Sequence, residues 1–285
     1  MEKSILTLPQ QTALDDYIQT LKLKSYSANT IRTYSAEFVN FLIVFKNYNP
    51  HDISTDLIRR YLVYCAEDLK LTEHFINSKM NAIKFYYEKV LFQPKVVYNI
   101  PRPKKPYLLP KVLSVKDIKN LFKVVENKKH LLILKCIYGM GLRVSEIVSL
   151  KISDIDSDTM LVHLKNAKGK KDRVVVLPDS ILDELRIYYK ENLPQIYLFE
   201  NRFHQQYNVR TIQTIFKNAL RKTSCLKNVG IHSLRHSYAT HLLEAGTDIS
   251  LIQQLLGHNN IKTTLTYTHV SRKTIQNVRS PLDNL

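Results

Sequence analysis

A proline-rich, basic segment divides this chain and limits what it can fold into. Five of the ten prolines lie between residues 94 and 110, interspersed with lysines and arginines. Proline fixes its φ angle and lacks an amide hydrogen, so it disfavours regular helices and strands. We therefore expect an extended linker over residues 94–112, between one domain at 1–93 and a second at 113–285. The linker can follow a polyanionic backbone or act as a plain spacer, and the sequence favours neither role.

The first domain has the spacing of amphipathic helices. Apolar residues recur at mostly three- and four-residue steps over residues 14–21 and 31–45. Ser54 and Thr72 stand where their side chains can cap two further helices. Four helices joined by short connections predict a small bundle.

The second domain is predicted to be mainly helical with a small antiparallel β-sheet. Residues 160–164 and 173–177 have the pattern of two strands joined by a turn. Ser114 can cap the first helix of the domain, and Gly246 and Gly257 stand where helix C-caps belong. Later helices are expected at about residues 180–191, 209–223, 233–245, 249–256 and 261–268.

The charge of the chain favours a polyanionic partner. The formal net charge is +17 and the pI is about 9.6. Lysine and arginine displace the counterions condensed on nucleic acid, although membrane-surface proteins are also basic. The three cysteines are scattered, no signal peptide is recognisable and no apolar run reaches membrane-spanning length. We therefore expect a cytoplasmic protein with no membrane association.

Four side chains suited to phosphate chemistry lie within residues 231–270. His232 and Arg235 are three apart, which on a helix places them on one face. An arginine offers two parallel donors that match phosphate oxygens. Tyr267 follows His258 by nine residues, and its phenol is a candidate nucleophile. Each residue alone also has an ordinary structural explanation: a capping or core histidine, a surface ion pair, or a packed tyrosine.

Two further candidates lie upstream. Arg143 stands at the start of a predicted helix, where a cation is unfavourable unless an anion shares the site. A simple pair with Glu146 is the alternative. Lys168 lies in the turn of the predicted hairpin, from which a lysine can deliver a proton to a leaving alkoxide or remain solvated. Other lysines near this turn are Lys165, Lys170 and Lys171.

The sequence offers no motif for a metal or a cofactor. It contains no H-E-x-x-H motif and no cysteine pair, and the five-residue spacing of His236 and His241 does not suit one metal on a helix. The nucleotide-binding pattern G-x-x-x-x-G-K-S/T is also absent. We therefore expect no metal ion and no cofactor.

Taken together, these segments resemble the tyrosine recombinases of the lambda-integrase and Xer type. The motifs that carry the resemblance are G-L-R-V-S-E-I at 141–147, A-K-G-K-K-D-R at 167–173, H-S-L-R-H at 232–236, L-L-G-H at 255–258 and T-T-L-T-Y-T-H-V at 263–270. Their order and spacing match over the whole second domain. The first domain resembles the family's helical, SAM-like core-binding domain by architecture more than by motif. The resemblance implies that the core-binding domain and a C-terminal α+β catalytic domain form a C-shaped DNA clamp.

The resemblance also implies a role for each candidate. The implied catalytic residues are Arg143, Lys168, His232, Arg235, His258 and Tyr267. Tyr267 would attack the scissile phosphate and form a 3′-phosphotyrosyl link, while the two arginines clamp the non-bridging oxygens. His232 would help to move the tyrosine proton, His258 would bind the phosphate, and Lys168 would protonate the leaving 5′-oxygen.

The implied function is site-specific recombination of double-stranded DNA, for integration, excision or resolution. As the resemblance implies, a homo-tetramer, or a hetero-tetramer with a related recombinase, would act on specific sites through a Holliday junction, with possible accessory proteins. The tail after Tyr267, residues 271–285, would dock on a neighbour or pack in cis. A type IB topoisomerase-like relaxase and a non-catalytic DNA-binding protein are the alternatives.

Overall fold

Helices make up most of the described residues in both parts of this chain. The structure, a computed structural model, describes residues 6–93, 100–103, 109–167, 171–223, 225 and 227–268, without the side chains of residues 166, 167 and 171. It divides into two units, Met1–Tyr107 and Leu108–Leu285. The prediction of a mainly helical chain with a small antiparallel sheet is confirmed. Among the described residues, no helix is both long and apolar enough to span a bilayer.

The first unit contains a bundle of four helices. They are α1 (Leu8–Leu23), α2 (Ala28–Val44), α3 (Thr55–Glu67) and α4 (Glu73–Phe85), and a π-helical turn over Tyr86–Val90 continues α4. The apolar stripes meet in an aromatic core, in which the rings of Tyr17 and Phe38 stack with centroids 4.4 Å apart. The buried amide of Gln10 donates to the carbonyl oxygens of Leu42 and Phe45 at 3.1 and 3.0 Å, which ties α1 to the end of α2.

The second unit combines eight described helices with a three-stranded sheet. The helices are α5 (Val115–Lys123), α6 (Lys128–Gly139), α7 (Val144–Ser149), α8 (Asp179–Asn192), α9 (Val209–Arg221), α10 (His232–Glu244), α11 (Ile249–Leu256) and α12 (Ile261–Leu265). The strands, in the order β1-β2-β3, are β1 (Ile155–Asp156), β2 (Leu161–Ala167) and β3 (Lys171–Val176). Both strand pairs are antiparallel, and Leu164 lies opposite Arg173.

Local signals set most of the helix ends. The side chains of Ser54 and Ser114 each accept a hydrogen bond from the backbone of the first turn of their helix, as predicted, and Asn260 does the same for α12. Thr72 is the N-cap residue of α4, but its side chain forms no capping hydrogen bond, so that part of the prediction was wrong. Gly257 is the C-cap of α11, with a φ angle of 59° that suits glycine.

The last described helix is shorter than predicted. A helix over about 261–268 was expected, but α12 ends at Leu265. The backbone beyond it forms tighter i→i+3 hydrogen bonds, from Tyr267 N–H to Thr264 O and from Thr268 N–H to Leu265 O. Tyr267 therefore lies in a turn just after α12 rather than on the helix.

Candidate active site

Three arginines converge on one buried carboxylate, that of Glu146 on α7. Arg143 Nη1 lies 2.7 Å from Glu146 Oε1, and Arg173 on β3 binds both carboxylate oxygens, at 2.5 and 2.7 Å. Arg235 on α10 approaches the same carboxylate at 3.9 Å. Glu146 is only 7% exposed. Three guanidinium charges against one carboxylate leave an excess of positive charge, which suits the binding of an anion.

The two predicted arginines also share a backbone acceptor. Arg143 Nη2 donates to the carbonyl oxygens of Leu256 and Gly257, each at 3.3 Å. Arg235 donates through Nη2 to Leu256 O and through Nη1 to Gly141 O, the latter at 2.6 Å. Two guanidinium groups that bind the same oxygen atom lie side by side. The structure therefore brings the guanidinium groups of Arg143 and Arg235 together.

Charge and burial act in opposite directions on the pKa of Glu146 and in the same direction on that of Arg235. Burial alone would raise the pKa of Glu146, but its hydrogen bonds and ion pairs with Arg173 and Arg143 lower that pKa to about 2. Burial, followed by the charges of Arg143 and Arg173, lowers the pKa of Arg235 to about 9. At neutral pH the carboxylate is therefore ionised and the guanidinium protonated.

Tyr267 lies beside this arginine cluster. Its side chain is 2% exposed and packs with Ala239, Ile252 and Leu256, which places it between α10 and α11. Burial raises the pKa of the Tyr267 phenol, and the charges of Arg235 and then Arg143 oppose that shift. Leu256, which belongs to the same small cluster as Tyr267, carries the carbonyl oxygen that both Arg143 and Arg235 bind, so the phenol and the arginines share one region of the unit.

The two predicted histidines lie near the same arginines. The ring of His258 stacks on that of Tyr267 with centroids 6.4 Å apart, and its Nδ1 lies 2.9 Å from Thr264 Oγ1. Burial and then the charges of Arg235 and Arg143 lower the pKa of His258 to about 4. His232 is the first residue of α10, and as a whole residue it is exposed. Part of its imidazole ring is nevertheless covered, and this burial, followed by the charges of Arg235 and Arg143, lowers its pKa.

The predicted lysine, Lys168, lies outside the described residues. Of its neighbours, Lys165 on β2 forms an ion pair with Asp154, with Nζ and Oδ1 3.0 Å apart. The Lys165 amine is thus paired with a carboxylate that directly precedes β1 in the chain. Residues 171–173 of β3 lead from the hairpin into the arginine cluster.

Sequence reasoning missed Arg173 and His236, whose side chains bind Glu146 and Tyr267. Alternation along β3 puts Arg173 on the face of Val175, which is 0% exposed, and not on that of Val174, which is 40% exposed. A charged residue on the buried face of a strand was a readable signal. His236 lies one helical turn after His232, and its Nδ1 is 3.0 Å from the Tyr267 hydroxyl.

A basic groove of about 570 Å³ opens beside His232. Its cationic lining residues are Lys111, Lys217, Arg221 and Lys227. A groove lined by cations raises the local concentration of a polyanion. Within the described part of the chain, no group of three or more His, Cys, Asp or Glu side chains is arranged to hold a metal ion.

The absence of a side chain at Gly257 lets Arg173 of β3 pass close to its backbone. Alanine substitutions of Gly257 and of Gly246, which has no such neighbour, test this contact. A Cβ on Gly257 would lie 2.7 Å from Arg173 Cδ, whereas a Cβ on Gly246 would meet nothing within 4 Å. Both glycines have positive φ angles, 59° and 88°. In urea unfolding we expect Gly246→Ala to cost about 1 kcal/mol of backbone strain. We expect Gly257→Ala to cost about 1–3 kcal/mol more, because it displaces the bound arginine. Equal losses for the two variants would show that this contact does not matter.

Family models match both parts of the chain. The model described as the phage integrase family matches residues 111–274. A second model, described as the phage integrase N-terminal SAM-like domain, matches residues 14–95.

Relatives of similar length support the same family. A putative integrase/recombinase, y4qK, from Sinorhizobium fredii is 34% identical over 286 residues, which cover 100% of this chain and 91% of that protein. The tyrosine recombinase XerA from Pyrococcus horikoshii is 34% identical over 266 residues, covering 91% of this chain and 90% of that protein.

Solved structures share the architecture. The crystal structure of a XerA recombinase is 29% identical and covers 95% of this chain and 100% of that chain, with a TM-score of 0.55. A lambda integrase tetramer bound to a Holliday junction has a TM-score of 0.74 at 17% identity, covering 90% of this chain and 76% of that chain. The second likeness concerns the fold alone.

Proposed function

Because this chain belongs to the phage integrase family and is a tyrosine-type site-specific recombinase, we propose that six of its side chains form one DNA-cleaving site. These residues are Arg143, Lys168, His232, Arg235, His258 and Tyr267. The observation that carries the proposal is the shared hydrogen bonding of Arg143 and Arg235 to Leu256 O, beside a phenol on which both charges act. A phosphodiester that bound both guanidinium groups would lie close to the phenol.

Cleavage would proceed without a metal. The phenol oxygen of Tyr267 attacks the scissile phosphorus, forms a 3′-phosphotyrosyl link and displaces the 5′-oxygen. Arg143 and Arg235 bind the non-bridging oxygens and stabilise the charge that develops on them. Because the link stores the energy of the broken phosphodiester bond, a 5′-hydroxyl from another strand can reverse the step without ATP.

The remaining side chains would assist in binding and proton transfer. His258 and His232 supply hydrogen bonds to the phosphate, and His232 helps to move the tyrosine proton. Lys168 protonates the leaving 5′-oxygen. The lowered pKa values of both histidines support neutral rings in the free protein.

The substrate in this proposal is double-stranded DNA with specific recombination sites. The net charge of +17 and the basic groove beside His232 support it. Residues 1–93 would form a core-binding domain, 94–112 a basic linker, and 113–285 the catalytic domain with its tail. The tetramer on a Holliday junction seen for lambda integrase suggests the same assembly here, as a homo-tetramer or with a related recombinase. Accessory proteins and a cytoplasmic location belong to the same proposal.

A duplex with a nick close to the cleavage site tests this function. Cleavage then releases a short fragment that carries the 5′-hydroxyl, and because the fragment diffuses away, rejoining stops and the covalent intermediate accumulates. We expect the protein to form an adduct with at least one duplex from a set that tiles the DNA flanking its gene. Relaxation of supercoiled plasmid regardless of sequence would favour a type IB topoisomerase-like relaxase. Binding without cleavage of any duplex would favour a non-catalytic DNA-binding protein.

Substrates that differ in their leaving atom, oxygen or sulfur, can show whether Lys168 acts as the acid. A substitution of the neighbouring Lys165 serves as the comparison. We expect Lys168→Ala to slow adduct formation by about 100-fold or more on a normal phosphodiester, because no acid protonates the 5′-oxygen. A substrate with sulfur at the bridging 5′ position should restore the rate, since a thiolate leaves without protonation. Lys165→Ala, which removes the partner of Asp154, is the matched control and should cleave normally. A defect that persists with the sulfur substrate would exclude Lys168 as the acid.

A further inference from the structure

One contact of the candidate nucleophile is not explained by the six proposed residues. The Tyr267 hydroxyl lies 3.0 Å from Nδ1 of His236, a half-buried residue on α10 that is 31 positions earlier in the chain. The two rings are 5.8 Å apart between centroids and inclined by 50°. This contact joins the nucleophilic atom directly to an imidazole nitrogen.

We propose that His236 is the catalytic base that accepts the phenol proton of Tyr267 during DNA cleavage and returns it during rejoining. This inference rests on the proposed role of Tyr267 as the nucleophile. It gives His236, which is not among the six residues of the proposed site, the phenol proton that the proposed function has His232 help to move, and it leaves His232 with its hydrogen bond to the phosphate. His236 qualifies as catalytic because it contacts the reacting oxygen itself.

The protonation states fit this role. Burial, followed by the charges of His232 and Arg235, lowers the pKa of His236 to about 4, so its ring is neutral at neutral pH. Burial raises the pKa of Tyr267, so the phenol keeps its proton until attack begins. A neutral imidazole facing a neutral phenol has a lone pair for the proton. The incoming phosphate carries a negative charge that offsets Arg235, which is one of the causes of the lowered pKa, and therefore acts to raise the pKa of His236.

The other two histidines are less well placed for this transfer. Nδ1 of His258 is joined to the Thr264 hydroxyl at 2.9 Å. The centroid of the His258 ring lies 6.4 Å from that of Tyr267, against 5.8 Å for the His236 ring, whose Nδ1 is 3.0 Å from the phenol oxygen. His232 is at the exposed start of α10, one turn before His236, where it faces the basic groove. That position suits a contact with the phosphate.

The step balances within the proposed site. The O–H bond of Tyr267 breaks and its proton moves to His236 Nδ1, while an oxygen lone pair forms the bond to phosphorus. The bond from phosphorus to the 5′-oxygen breaks, and that oxygen takes a proton from Lys168. In the reverse step a 5′-hydroxyl gives its proton to Lys168 and its oxygen forms the bond to phosphorus, while the phosphotyrosyl bond breaks and His236 returns its proton to the phenol oxygen.

Three variants of the full chain separate this role from a structural one. In His236→Asn the amide can stand near the position of Nδ1 and keep a hydrogen bond, but it cannot take a proton. His236→Ala removes both abilities. His241→Asn is the matched control, because His241 lies on the same helix and its Nδ1 is joined to a different phenol, that of Tyr138, at 2.9 Å.

The rate of adduct formation on nicked duplexes tiling the gene's flanking DNA gives the decisive result. We expect both His236 variants to cleave about 100-fold more slowly than the wild-type protein, with unchanged DNA affinity, and His241→Asn to cleave at the wild-type rate. The bridging 5′-sulfur substrate should not rescue the His236 variants, since their defect concerns the nucleophile. Normal cleavage by His236→Asn would reduce His236 to a positioning residue, and faster cleavage by His236→Ala would make the contact inhibitory. Either result overturns the proposal.

A second measurement decides the proposal even if no DNA is cleaved or a variant fails to fold. Nitrogen NMR of the wild-type protein, with His236→Ala or Tyr267→Phe to identify the signal, reports which ring nitrogen carries the proton. We expect His236 to be protonated at Nε2 and free at Nδ1. A proton on Nδ1 would mean that His236 donates to the phenol, and the proposal would be wrong. Absence of any adduct with the wild-type protein would instead count against the proposed function.

Discussion

Tyr267→Phe is expected to abolish the covalent protein–DNA adduct while leaving DNA binding intact. The substitution removes only the hydroxyl, and the ring keeps its packing against Ala239, Ile252 and Leu256. Loss of the nucleophile should reduce cleavage by about 10⁴-fold or more. Loss of the single hydrogen bond to His236 should change the free energy of unfolding by only about 1 kcal/mol. Gel analysis of trapped adducts, with a parallel binding assay, measures both effects.

The matched control for this substitution is Tyr238→Phe. Tyr238 packs against the same small cluster from α10, but its ring lies against Gly141. We expect Tyr238→Phe to form the adduct at close to the wild-type rate. An adduct that persists in Tyr267→Phe would move the nucleophile to another residue.

Glu146→Gln is expected to be among the most destabilising single substitutions in this chain. It leaves the guanidinium groups of Arg143, Arg173 and Arg235 close together without their shared anion. Breaking a buried ion pair by neutralising one partner costs about 3–5 kcal/mol. Urea unfolding at neutral pH measures the loss. Activity should fall as well, because Arg143 and Arg235 lose the carboxylate that orients them.

The same carboxylate makes the stability of the wild-type protein depend on pH. Folding lowers the pKa of Glu146 from about 4.5 to about 2, so its contribution is fully present above pH 4.5. That contribution is lost as the pH falls from 4.5 towards 2, and about 2.5 pKa units correspond to about 3 kcal/mol. We therefore expect wild-type stability to decline over this range more steeply than that of Glu146→Gln.

Glu126→Gln provides the control for both the stability loss and the pH dependence that are predicted for Glu146. Glu126 pairs with Lys222 at the protein surface, where solvent screens the interaction. Its replacement should leave both the unfolding free energy and its pH dependence nearly unchanged. Parallel acid-unfolding curves for the wild-type protein and Glu146→Gln would contradict the role given to Glu146.

Much of the fold could be predicted because its signals are local. Capping residues such as Ser54 and Ser114 stand within three positions of the backbone groups they bind, and apolar spacing repeats within each helix. The two-residue strand β1 had no such signal, since a pair of residues shows no alternation. The end of α12 was overestimated because the tightening of its last turn leaves the residue spacing unchanged.

The candidate site was harder to predict, because its contacts join distant parts of the chain. Arg173 reaches Glu146 from 27 positions away, and His236 reaches Tyr267 across 31. Arg173 ends the motif A-K-G-K-K-D-R and His236 ends the motif H-S-L-R-H, and both motifs pointed to this site. No spacing rule, however, says which partner each side chain contacts. The assignment of Lys168 stays a prediction, because it lies outside the described residues.

The most direct test of the account is to identify the residue that becomes joined to DNA. A trapped adduct can be digested with protease and nuclease, and mass spectrometry then locates the nucleotide on a peptide. We expect the modified peptide to contain Tyr267, linked through a 3′-phosphate, with a free 5′-hydroxyl on the released strand. A nucleotide on any other residue, or a 5′-phosphate link to Tyr267, would contradict the proposed site.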